Sequence, residues 1–422
     1  MQTLKVIIHG SYYDSQIYSG RLYLWSTKGS IIIIDWDRLI ESVEVEERLK
    51  LALRCAFLQS EYFYGNDFKL FFQDNEIKKL LEQKFLDLSE RLIEFSESDL
   101  LGLQLIIAEQ DNPLPFPHAD SLFYNNVLYI GSPSGVSAST LNKSNKKSIS
   151  PRAQKLWDGP VLAVAASYST LALAAGSEGL FQRSCDLYSA SHEDAHPIIS
   201  EHSNSARWMY YSIFSSSYYN SGYLADFDNK QVKESEIYES EDGVEVWEEG
   251  IFDRPKLYQR KLREVLSSDS IFGGDTERET TKYTWGVHDK ICLAMQNHID
   301  IVQYSPYKTG YNQRFVPLGR IDSDLLHSDI IRGDSALFGY IIELEDGLLI
   351  IDSEAESSHW LPGEPVNWRI FPRSKFYTNQ LHVVYDEFIY IHSFNQDYFV
   401  DQKAKRVGIR HSRAFSPSSR RV

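Results

Sequence analysis

Cysteine is nearly absent: the 422 residues hold only Cys55, Cys185 and Cys292. Their scatter excludes a disulfide framework and fits a reducing compartment. Long hydrophobic runs are missing too; no stretch approaches the ~20 apolar residues of a membrane-spanning helix. The start, Met1-Gln2-Thr3-Leu4-Lys5, leads into too few apolar residues for a signal peptide. Positive charge is scarce, with 43 Lys and Arg against 59 Asp and Glu and a formal net charge of −16. Such a body should repel nucleic acid and anionic membrane. No G-x-G-x-x-G, P-loop or C-x-x-C occurs, which removes the phosphate-cradling and zinc-ribbon readings. The expectation is a soluble, cytoplasmic protein.

What is abundant is aromatic and β-branched material, with 26 Tyr and 22 Phe. One pattern recurs: a short β-branched or aromatic run, a turn often holding Gly, and a second such run. Copies begin at Leu22, Val127, Leu171, Trp208, Ile291, Tyr340 and Phe388. The sixth carries the strongest hairpin signal, Glu345-Asp346-Gly347, because Asp-Gly supports the positive φ of a tight turn. From Val127 onward the copies are spaced by ~40–50 residues, with one oversized gap between 208 and 291, and that period is a β-propeller blade's. In period and strand content the chain resembles the WD40-like β-propeller superfamily. Trp-Asp, its defining dipeptide, stands only at Trp36-Asp37 and Trp157-Asp158, and no kelch-type Gly-Gly recurs. The resemblance implies scaffolding or recognition rather than one reaction. The expected fold is mainly β: a single propeller over 1–401, seven-bladed, with an inserted α-helical hairpin. Lys5 to Ile8, a lone strand, is expected to pair with the last blade and shut the ring.

Three segments break the pattern. The first, 38–103, is read as a helical hairpin inserted between the first and second blades. One helix is placed at about Val45 to Tyr62. Another starts near Asp74, with Ile77, Leu81, Phe85, Leu88, Leu92 and Phe95 along one face. It is either a decoration packed on the ring or a docking element. The second, 229–280, holds the acidic stretch Glu234 to Glu249, read as an exposed hairpin around Asp242-Gly243, then a short basic helix over Pro255 to Val265. The third, the tail 402–422, carries Lys403, Lys405, Arg406, Arg410, Arg413, Arg420 and Arg421 with no acidic residue. It either lies on the protein's own acidic surface or contacts a partner protein or nucleic acid.

Little points to chemistry. His192-Glu193-Asp194-Ala195-His196 matches the H-E-x-x-H of zinc hydrolases, whose two His must share a helical face. Pro197 follows the second His, so no helix continues, and only His202 lies near as a third ligand; an exposed loop is expected. Gly333-Asp334-Ser335 matches a hydrolase Ser motif only as a tripeptide. The run Arg207 to Tyr211 is read as packing between blades, whereas Tyr218-Tyr219, in a turn, is exposed and able to anchor a partner.

The leading expectation is a non-enzymatic interaction subunit with no cofactor and no metal. It would dock a protein partner through Arg406, Arg410, Arg413, Arg420, Arg421, Tyr218 and Tyr219, and target or restrain an effector. One alternative is a hydrolase or lyase in the central channel, which would need three or more titratable groups converging there. The other is a nucleic-acid-binding subunit using the tail.

Overall fold

The computed structural model describes residues 3–64, 71, 74–142, 148–187, 195–218, 221–231, 258–273, 281–323, 326, 329–353, 355 and 357–395. Seven small sheets form a seven-bladed β-propeller. Their innermost strands are, in ring order, Tyr12–Tyr18, Asp120–Tyr124, Ala163–Ser167, Arg207–Met209, Tyr283–Val287, Ile330–Ala336 and Asn367–Ile370. Middle strands such as Ser30–Asp35, four isoleucines in a row, are apolar on both faces because each blade is covered by its neighbours. Buried Trp25, Trp285 and Trp368 fill those inter-blade layers.

The sixth hairpin forms where expected, but its glycine works differently. The turn is Glu345–Asp346, since Leu344 pairs with Gly347. A Cβ on Gly347 would come 2.3 Å from the Leu361 carbonyl oxygen of the outer strand, so close approach demands glycine there, not positive φ. The fourth copy begins one strand earlier than its spacing suggests: Arg207–Met209 and Ser212–Ser216 are separate strands about the turn Tyr210–Tyr211. The seventh is also displaced, because its second and third strands are Gln380–Val384 and Phe388–Phe394. The basic segment expected to be a helix from Pro255 is strand where described. Tyr258–Ser267 pairs along its whole length with Gly222–Gln231, and that ladder satisfies the backbone better than an isolated short helix could.

The helical insertion sits inside the first blade, not between the first and second. It joins the blade's third strand, Ser30–Asp35, to its fourth, Ile106–Asp111. It comprises α1 (Trp36–Glu41), α2 (Glu47–Phe57), α3 (Glu61–Tyr64), α4 (Asn75–Ser89) and α5 (Glu97–Gly102). Asp74 caps α4, accepting from the N–H of Glu76 (2.8 Å) and Ile77 (3.1 Å). Leu81, Phe85 and Leu88 are buried, as their spacing implies. The stripe stops there: α4 ends at Ser89, Leu92 is 71% exposed, and Phe95 lies on a strand.

Ring closure follows the expected route. Thr3–His9 pairs antiparallel with Phe388–Phe394 as the outer strand of the seventh blade. Ile93–Phe95 from the insertion then adds in parallel, covering part of that edge.

Candidate functional site

Two places gather polar or aromatic side chains beyond what packing needs: the channel, and the face carrying the turns between first and second strands.

In the channel, buried Asp14 receives Arg369 from the seventh blade, Nε to Oδ1 at 2.5 Å and Nη2 to Oδ2 at 2.8 Å. Asp14 also accepts from Ser121 Oγ (2.6 Å), Asn367 Nδ2 (2.9 Å) and the Ser15 N–H (2.8 Å), and lies 2.8 Å from His118 Nε2. Burial pushes its carboxyl up, but Arg369 and His118 outweigh burial and hold it well below the usual range. The same Arg369 donates to Asp120 Oδ1 (2.8 Å), whose Oδ2 accepts the Val164 N–H (2.9 Å). Farther round, Arg207 of the fourth blade closes on Asp334 Oδ2 of the sixth through Nε (2.9 Å) and Nη2 (2.8 Å). Asp334 Oδ1 accepts the Ser335 N–H (2.9 Å), and Ser335 Oγ accepts the Trp285 indole N–H (2.8 Å). The Gly333-Asp334-Ser335 tripeptide is therefore a structural tie.

Titratable groups do converge on the channel, which is the condition set for an enzyme. Each of the three carboxylates, however, has both oxygens engaged by donors. Such a network ties blades together across the axis. It was hard to see in advance: the Asp-Ser pairs at 14, 120 and 334 stand on three innermost strands, but Asp-Ser also occurs at 269, 322 and 352.

On the turn-bearing face, six blades join their first two strands by two-residue loops. In five the first loop residue has positive φ: Ser19 (49°), Asn125 (50°), Tyr168 (50°), Tyr210 (54°) and His288 (52°). Asn suits that region; a bulky aromatic there is an outlier that carries strain. Tyr168 is nevertheless 59% exposed and Tyr210 39%, and Tyr307, beyond the third strand of the fifth blade, is 70% exposed. The Tyr168 ring lies 6.0 Å from Trp208, and Tyr307 meets Tyr210 edge-on at 5.5 Å.

Two arginines frame Tyr168. Arg260 stacks over Trp208 (4.7 Å) and Phe227 (3.9 Å), donates to the Tyr211 carbonyl (3.1 Å) and bonds Gln182. Arg373 reaches from the seventh blade to the Ala166 carbonyl (2.8 Å) and Ser167 Oγ (2.7 Å), the residues just before Tyr168. Neither is ion-paired with a carboxylate among the described residues. Burial lowers both, Arg260 to about 10.

The sequence-derived sites fare unevenly. Tyr218 is 66% exposed against His202 (5.1 Å), but its turn is at the opposite end of the fourth blade from Tyr210. Within the run from Arg207, Trp208, Met209 and Tyr211 are buried as read, while Tyr210 is exposed because the turn falls on it. Tyr219, Arg406, Arg410, Arg413, Arg420 and Arg421, the acidic stretch, and His192 and Glu193 lie outside the described residues. His196 is exposed on an outer strand, and no group of three metal-ligating side chains occurs among the described residues. Trp36 directly follows a third strand whereas Trp157 ends a fourth, so the two Trp-Asp pairs are not equivalent.

No family model matches the chain, and no curated protein does. Among solved structures it is similar to the computationally designed Ika8 protein, with 9% identity and a TM-score of 0.44, over 93% of this chain and 100% of that one. It is also similar to the WD40 β-propeller domain of Doa1, with 11% identity and a TM-score of 0.33, over 67% of this chain and 98% of that one. The assignment as a seven-bladed β-propeller stands on its seven sheets.

Proposed function

We propose that the protein is a non-enzymatic interaction subunit whose turn-bearing face docks a partner protein within a larger assembly. The observation that carries this is the exposure of Tyr168, Tyr210 and Tyr307 together, two of them on loops where tyrosine is strained. Strain of that kind persists where surroundings over-determine it and clusters at binding sites. Tyrosine is also enriched among interface anchors. A cytoplasmic setting fits the free thiols of Cys55, Cys185 and Cys292. Targeting or restraint of an effector remains part of the proposal, with the basic tail as a second contact. Catalysis in the channel is the second reading, favoured by the convergence of Asp14, Asp120 and Asp334 and opposed by their full engagement.

The test places a photo-activatable phenylalanine at Tyr307, and separately at Tyr218 on the opposite face, in native cells. Cross-links to a discrete protein from Tyr307 are expected. Cross-links from Tyr218 alone, or from neither, would overturn the assignment of this face.

A further inference from the structure

The chemistry of the partner can be taken one step further, resting on the docking reading above. Tyr168 stands between two guanidiniums that have no carboxylate partner among the described residues, on a chain with 59 acidic and 43 basic side chains. Each guanidinium has five N–H donors and spends two in the hydrogen bonds described, so donors remain on both. The exposed ring of Tyr168 offers an apolar surface there, with the buried indole of Trp208 behind it and under Arg260. Arg263, by contrast, is matched: it pairs with Asp226 (3.2 Å) and Asp228 (3.1 Å). Positive charge not offset by any carboxylate of the described residues thus stands on both guanidiniums at this spot beside Tyr168.

We propose that this spot receives an acidic segment of the partner protein, an Asp or Glu carboxylate lying against Arg260 and Arg373 with a neighbouring apolar side chain on Tyr168. A nucleic acid has the same sign but needs a basic track along its backbone. Two isolated guanidiniums on an acidic body do not make one.

The probe is a fluorescein-labelled random copolymer of Glu and Tyr, titrated against the full-length protein by anisotropy. Parallel titrations use poly-lysine and poly-uridylate. The Glu-Tyr copolymer is expected to bind, more weakly as salt rises. Tyr168→Asn should weaken it by roughly tenfold, the scale of one lost anchor, and at the same time raise Tm, because asparagine relaxes the positive-φ position. That pairing separates a binding residue from a merely structural one, whose replacement lowers both. Arg373→Gln should also weaken the copolymer. Affinity unmoved by Tyr168→Asn, as binding through the basic tail would give, overturns the inference, as does preference for poly-lysine or poly-uridylate, or no binding at all. If Tyr307 still cross-links a partner while the copolymer fails, the docking face stands and only its acidic chemistry falls.

Discussion

Arg369 and Asp14 are 355 positions apart in sequence, yet the guanidinium of one lies in a two-pronged grip on the carboxylate of the other. The bond joins the seventh blade to the first at the seam where the ring closes. Replacing Arg369 by Met leaves Asp14 buried without its main counter-charge, and such losses cost about 3–5 kcal/mol. Denaturant unfolding should show this as a lower midpoint with unchanged slope. Asp14→Asn with Arg369→Met should be less damaging than the single change. A single-variant cost below about 1 kcal/mol would mean the tie contributes nothing.

Acid should destabilise the fold early. Burial pushes His382 and His392 down to about 3, in the company of Arg369 and of His359 respectively. The unfolded chain takes up these protons near pH 6.5 and the folded one does not. Stability from both histidines is therefore complete above pH 6.5 and falls as pH drops toward 3, by about 1.4 kcal/mol per pH unit for each. Asp14 adds to the loss below the usual carboxylate pKa, since its folded value lies lower still. Neither ring nitrogen of His392 has a hydrogen-bond partner among the described residues. His392→Leu should raise Tm at pH 7 and flatten the acid limb of a Tm-against-pH curve. An unchanged limb would count against a neutral buried His392.

The insertion should loosen when its anchor is cut. Asn379 Nδ2 donates to the Ala56 carbonyl in α2 (3.0 Å) and to Ser393 Oγ (2.8 Å), and the Ser60 N–H donates to the Phe376 carbonyl (3.0 Å). Asn379→Ala should cost about 1–3 kcal/mol through the buried groups left unpaired. Hydrogen exchange should rise over residues 47–64 and 371–379 while the channel strands stay protected. A uniform rise would instead show that insertion and ring open as one unit.

Removal of residues 1–9 should strip the seventh blade of its outer strand and expose an unpaired edge. Size-exclusion chromatography should then show oligomers or aggregate. A monomer of undiminished Tm would contradict closure by the first strand.

Much of the ring was legible because its signals are local. A hairpin such as Tyr340 to Ile351 announces itself by apolar runs either side of a turn. The insertion was misplaced because the strand that returns to the first blade, Ile106–Asp111, sits at the edge and is half polar, with no buried period to read. Tyr258–Ser267 mixes basic and apolar residues in a helix-like way, and only its partner strand decides the matter. Arg369, Asp14 and Asp120 belong to three blades, so their meeting depends on the register of each, which composition does not carry. Tyr168 could have been noticed as a tyrosine where a hairpin loop usually has Asn or Gly, had the loop been placed to the residue.

The seam also orders events in time. Thr3–His9 leaves the ribosome long before its antiparallel partner Phe388–Phe394, so the ring stays open until the seventh blade is made. Ile93–Phe95 emerges far earlier and pairs with Val6–Ile8 from the other side. One of the strand's two neighbours is thus available in the chain well before the other.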